Sequence, residues 1–156
     1  MMMRMIGNII LLLNMLFYSN GDYSLVIDTF RYVSEENVLI IDVVVSNKTN
    51  KKIHVGKCEP HKNCYIDDVF WNLEIFKDGV RYYVPAVLVR KKYTIIKIGK
   101  QSEYRFQIPI CFGQLSKDGF FASEFVKSGE YQIQLFTKFD KPKIEIKSNV
   151  ISVIVE

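Results

Sequence analysis

Both histidines of the chain and two of its three cysteines fall within eleven residues, His54-Val-Gly-Lys-Cys58-Glu-Pro-His61-Lys-Asn-Cys64. Imidazole and thiolate are zinc ligands, and here they are separated by three, two and two residues. A structural zinc site usually draws two ligand pairs from stretches far enough apart for the chain to wrap a tetrahedron. Four ligands packed this tightly leave little backbone for wrapping, so His54, Cys58, His61 and Cys64 are weak metal candidates and no cofactor is expected. A disulfide between Cys58 and Cys64 is the favoured chemistry. Closing a seven-residue ring stabilises a fold by about 2 kcal/mol on the chain-entropy model. Pro60 and Asn63 favour a reversal between the two thiols. Free thiols remain the third reading.

The third cysteine, Cys111, ends the apolar run Ile108-Pro-Ile-Cys. It reads as a small buried hydrophobe, with pairing to Cys58 or Cys64 left open. A nucleophilic thiol needs a neighbouring base and a lowered pKa, and His61 is the one base available for that role. No catalytic residue is assigned, and the chain reads as a non-enzyme. The adjacent acids Glu35-Glu36 and Asp67-Asp68 diverge on an extended backbone. There is no Gly-rich phosphate loop, no Gly-x-Ser-x-Gly elbow and no His-Glu-x-x-His helix. The run Arg90-Lys91-Lys92 reads as a charged strand edge that discourages aggregation.

Elements must position these residues, and composition bounds what they can be. With 156 residues, 49% of them apolar, and eleven Phe, nine Tyr and one Trp, the chain can bury the core of one domain. The net charge of +4 is spread along the sequence and not gathered into a basic stripe, so no nucleic-acid partner is expected. Residues 1–21 read as a signal peptide. Arg4 precedes an apolar stretch, Ile9 to Phe17, that is too short to span a bilayer, and Ser19 and Gly21 suit a cut before Asp22. The expected product, 22–156, is one domain, secreted or periplasmic, with no membrane span left after cleavage.

Period-two alternation bounded by turn residues recurs through that domain. Nine strands are expected, at 23–30, 37–47, 52–57, 70–77, 80–84, 92–98, 103–110, 130–139 and 143–156. Asp78-Gly79 between two β-rich runs is a hairpin signal, and residues 114–125 could hold one helical turn. Strands without intervening helices predict an all-β antiparallel sandwich. Alternation places Trp71, Leu73 and Ile75 in its core, with Tyr131, Ile133 and Leu135.

The stretch Phe125-Val-Lys-Ser-Gly-Glu-Tyr131-Gln-Ile133 resembles the approach to the penultimate strand of immunoglobulin-like domains. Gly129, Glu130 and Tyr131 there match a tyrosine corner, and Ile133 stands where antibody domains carry a cysteine. The segment Val43 to Val55 is similar to the strand-turn-strand opening of bacterial immunoglobulin-like modules, including the intracellular proteinase inhibitor family of bacilli. The wider resemblance is to small secreted bacterial β-sandwich proteins of unassigned function. It implies an immunoglobulin-like sandwich of about nine strands.

If each strand reverses the chain, the tight links at 48–51, 78–79, 99–102 and 140–142 share one pole. The longer ones at 31–36, 58–69, 85–91 and 111–129 share the other, with Phe112, Phe120, Phe121 and Phe125 available to cover the core there. Long connections on a rigid sandwich are where recognition tends to sit. The expected function is recognition of a protein partner through the long-loop pole, proteinase inhibition being the sharpest form. The alternatives are a structural subunit of an envelope assembly and a small metal-dependent hydrolase.

Overall fold

The computed structural model describes residues 21–58, 71–84, 93–118 and 124–156. Within them the secondary structure is all β, and no helix is long and apolar enough to cross a membrane. The strands are β1 (Tyr23–Val33), β2 (Val38–Asn47), β3 (Ile53–Cys58), β4 (Trp71–Lys77), β5 (Val80–Tyr82), β6 (Tyr93–Ile98), β7 (Ser102–Cys111), β8 (Gln114–Leu115), β9 (Glu124–Phe125), β10 (Gly129–Lys141) and β11 (Glu145–Val155). All nine expected strands are present. The expected helical turn is replaced at its two described ends by the ladder β8–β9, with Gln114 opposite Phe125 and Leu115 opposite Glu124.

Two antiparallel sheets share one core, consistent with a β-sandwich. One is β1-β2-β7; the other runs β5-β4-β10-β3-β6, with β11 on the far side of β10. Pro109 lies in β7, an edge strand of the first sheet, where a missing N–H is tolerated. Alternation sets the faces as expected: Trp71, Leu73 and Ile75 are buried on β4, and Tyr131, Ile133 and Leu135 on β10. Three edge-to-face aromatic pairs join the layers, each contributing about 0.5–1.5 kcal/mol beyond its buried area. Tyr23 meets Phe139 at 5.4 Å between ring centroids, Trp71 meets Phe106 at 5.3 Å, and Phe112 meets Tyr131 at 5.3 Å.

The register along β10 reveals how β3 and β4 relate. Lys141 is opposite His54 and Phe139 opposite Val55, after which Thr137 is opposite Trp71 and Gln132 opposite Phe76. Thus β3 and β4 run in the same direction and occupy one strand position in turn. β3 ends at Cys58 and β4 begins at Trp71, whose indole Nε1 joins the two by donating to the Gly56 carbonyl at 2.7 Å.

That arrangement corrects one expected position. The links 48–52 and 99–101 do share a pole. Asn47, 1% exposed, binds them together by donating from Nδ2 to the carbonyls of Lys51 (2.7 Å) and Gly99 (2.6 Å). The end of β10 lies there too, beside His54. The Asp78-Gly79 turn does not. It has the positive φ values, 51° and 76°, of a tight hairpin, but it lies at the opposite pole, where Lys77 donates to the Ser128 carbonyl at 2.7 Å. Counting each strand as a reversal fails because no reversal separates β3 from β4.

Candidate recognition surface

The pole opposite Asn47 gathers the turn after β1, the β4–β5 turn, and residues 112–118 and 124–129. Its floor is Phe112, fully buried, against Tyr131 on one side and Tyr32 on the other, the latter at 5.9 Å. The Phe112 N–H donates to the Asn37 carbonyl (2.7 Å), which ties the end of β7 to the β1–β2 turn. Tyr131 closes the expected corner. Its hydroxyl accepts from the Lys127 N–H (3.0 Å) and donates to the Lys127 carbonyl (2.9 Å). Lys77 lies 4.7 Å from the centre of the Tyr131 ring. Gly129 has φ of 133°, a backbone conformation that calls for glycine, while a Cβ there would meet only the movable end of Lys77, at 2.9 Å from Nζ.

The described start of the connection after β7 lies along the chain leaving β5, where Tyr83 and Ser116 exchange both backbone hydrogen bonds (2.8 and 2.9 Å). The Val126 N–H then returns to the Gly113 carbonyl (3.1 Å). Side chains reinforce this flap. Glu124 pairs with Lys117 and accepts from the Tyr82 hydroxyl at 3.3 Å. The Lys117 ammonium holds the Glu124 carboxyl below the usual range, against an opposing push from burial. Burial and the nearby carboxylate raise Tyr82 above the usual phenol range. Arg81 pairs with Glu74 and lies 4.8 Å from the Tyr83 ring centre.

Phe125 lies on this flap with 71% of its surface in water, and Val80, beside the β4–β5 turn, has 43%. Phe112 covers the core as expected; Phe125 does not, because β9 pairing turns it away from the floor. Phe120 and Phe121 lie outside the described residues. The recognition potential of Arg81, Tyr82 and Tyr83 was not read from the sequence. The signal available was their aromatic and guanidinium character directly after a tight turn.

Of the proposed metal ligands, the structure describes His54 alone. It is half-buried, pointing opposite to buried Ile53 and Val55, and its cross-strand neighbours are Lys97 and Lys141. Two ammonium groups beside an imidazole make a poor setting for a divalent cation. His61, Cys64 and the Cys58 side chain lie outside the described residues, and with them the expected Cys58–Cys64 bond, the connections 59–70 and 85–92, and all but Gly21 of the expected signal peptide 1–21. Among the described residues no group of three or more His, Cys, Asp or Glu could hold a metal. Cys111 differs from its expected burial: it is exposed at the end of β7 and disulfide-bonded.

No family model matches the chain, and no curated protein matches it. Among solved structures it is similar to a GH3 β-glucosidase of Bifidobacterium adolescentis, at 12% sequence identity and a TM-score of 0.41. The match covers 85% of this chain and 17% of the glucosidase chain.

Proposed function

We propose that this chain is an immunoglobulin-like β-sandwich, exported to the cell envelope or beyond, that recognises a protein partner through the pole bearing β5, β8 and β9. The observation that carries the reading is Phe125. A large aromatic side chain is held in water on a backbone pinned by β8, by Tyr83–Ser116 and by Val126–Gly113. Aromatic and arginine side chains are enriched at the centres of protein interfaces, and a rigid support lowers the entropy lost on binding. Arg81, Tyr82 and Tyr83 add further side chains of that type at the same edge.

The immunoglobulin-like assignment is supported by the Tyr131 corner, two residues before Ile133 on β10, and by two facing sheets. Export rests on the sequence, where Arg4 precedes the short apolar stretch Ile9 to Phe17 and the small residues Ser19 and Gly21. Proteinase inhibition is the sharpest form of this function, because an inhibitory loop must be rigid and protruding, and the two ends of the 112–126 connection are fixed.

A second reading, a structural subunit joined by strand addition, draws on β6, which pairs only with β3 among the described residues. The two are separated by Phe125→Ala and Arg81→Ala proteins used to capture a cross-linked partner from the native envelope. Capture falls at least tenfold with an unchanged Tm if the loop pole binds. Undiminished capture by both variants overturns that reading in favour of the β6 edge.

A further inference from the structure

Lysines that lie scattered along the sequence are gathered by the fold. Residues 48–52, 97–101 and 141–144 hold seven lysines and no carboxylate. All three stretches meet at the pole closed by Asn47. The Asn47 amide donates to the Lys51 and Gly99 carbonyls at 2.7 and 2.6 Å, and the Gln101 N–H donates to the Thr49 carbonyl at 3.1 Å. Lys141 is opposite His54, which is itself opposite Lys97. All seven lysines are exposed. Asp22, Glu103, Asp140 and Glu145 border the pole, but Glu145 pairs with Lys138 at 3.5 Å and Glu103 accepts from the Ser46 hydroxyl at 2.7 Å. Among the described residues none of the seven lysines is in an ion pair. Seven positive charges exceed the net charge of +4 of the whole chain, so the rest of the molecule is net negative. The protein is a charge dipole with its positive end at this pole. Such clustered charge repels itself and attracts an anionic surface.

We propose that this pole docks on an anionic phospholipid bilayer and turns the opposite pole away from it. Two observations favour a membrane over a nucleic acid. The cations in these stretches are all lysines, with no arginine, whose planar fork grips phosphate in a fixed geometry. Ammonium groups on flexible stems suit a diffuse charged plane, to which each basic residue adds attraction. The described chain also enters at this pole. The Lys48 N–H donates to the Asp22 carbonyl at 2.8 Å, and Tyr23 is opposite Asn47. The apolar stretch Ile9 to Phe17 ends five residues before Asp22, and five residues of chain reach about 17 Å at most. Whenever that stretch is held in a bilayer, this pole is the part of the domain beside it. Charge and pole geometry carry the proposal, whatever the opposite pole recognises.

Vesicle sedimentation tests it. The full chain, as the cell processes it, is mixed with vesicles of phosphatidylcholine alone or with one part phosphatidylglycerol to two of phosphatidylcholine. The expected result is binding at least tenfold tighter to the anionic vesicles, weakening as salt is raised. Lys52→Gln, Lys97→Gln and Lys141→Gln together should lower that affinity at least tenfold with an unchanged Tm. The same three positions changed to Arg keep the charge and should keep the binding. Equal binding to neutral and anionic vesicles, a Gln variant that binds like the parent, or an Arg variant that does not bind each overturns the proposal. Tighter binding to duplex DNA than to the anionic vesicles at the same salt overturns it in favour of a nucleic acid.

Discussion

The side-chain amide of Asn149 pairs with the backbone of Ile27 as a peptide group would. Asn149 Oδ1 accepts from the Ile27 N–H at 2.7 Å, and Nδ2 donates to the Ile27 carbonyl at 3.3 Å. Both residues sit at irregularities. On β1 the register shifts between Ile27 and Thr29, and on β11 Ser148 and Asn149 bulge opposite Leu135. The bulge is locked locally, with Ser148 Oγ accepting from the Leu135 N–H at 2.9 Å. Two strands from different sheets are thus joined where neither ladder could supply a partner, and a bulge becomes a connector.

Replacing Asn149 by Ala removes both bonds and leaves a backbone N–H and carbonyl of β1 without partners. Leaving such a group unsatisfied costs about 1–3 kcal/mol. Denaturant unfolding of Asn149→Ala should show a lower midpoint with an unchanged m-value, and the Ile27 amide should exchange faster. Exchange equal to the parent would show that the amide is not what protects Ile27.

Tyr131 makes a second prediction at the opposite end of the core. Its ring is 2% exposed and packs on Phe112, while its hydroxyl serves both the N–H and the carbonyl of Lys127. Tyr131→Phe keeps the ring contact and removes the corner, together with the bond that the hydroxyl accepts from Lys77 Nζ at 3.4 Å. The expected loss is about 1–3 kcal/mol, with faster amide exchange at Lys127. Stability equal to that of the parent would mean that the corner bonds contribute nothing net.

Much of this was legible because period two leaves a direct trace. Burial on one face of a strand forces alternation, so Trp71, Leu73 and Ile75 declare their face in the sequence, as do Tyr131, Ile133 and Leu135. Tyr131 could be placed further, because its spacing from Gly129 carries the corner. What alternation cannot report is which strands meet. Nothing in residues 52–77 shows that β3 and β4 share a position beside β10; that depends on contacts with residues 132–141. The displaced Asp78-Gly79 turn follows from this. Two-residue strands such as β8 and β9 are too short to show a period, so the flap that exposes Phe125 had no signature. The pairing of Asn149 with Ile27 spans 122 residues and rests on two bulges, features that break the very pattern being read.

The Lys117–Glu124 pair makes the last prediction, because it controls how the flap responds to pH. Glu124 is held below the usual carboxylate range chiefly by its hydrogen bond to Lys117, and Lys117 is raised above the usual lysine range by the same contact. A depressed carboxyl contributes stability that is present above its unfolded pKa and lost as pH falls through its folded value. A raised ammonium contributes stability that is complete below its unfolded pKa and lost as pH rises through its folded value. The flap is therefore held best across the neutral range, and loosens at acid pH when Glu124 protonates and at alkaline pH when Lys117 loses its proton. Both groups are solvent-facing, so screening keeps the effect local and small. NMR titration of the Glu124 carboxyl should give a midpoint below that of an ordinary glutamate, with the Tyr82 ring resonances moving in step. Lys117→Ala should move the midpoint upward, since burial then opposes only the Tyr82 hydroxyl and the more weakly acting Lys127 charge. A midpoint indifferent to Lys117 would mean that the ion pair does not fasten β8 to β9 in solution.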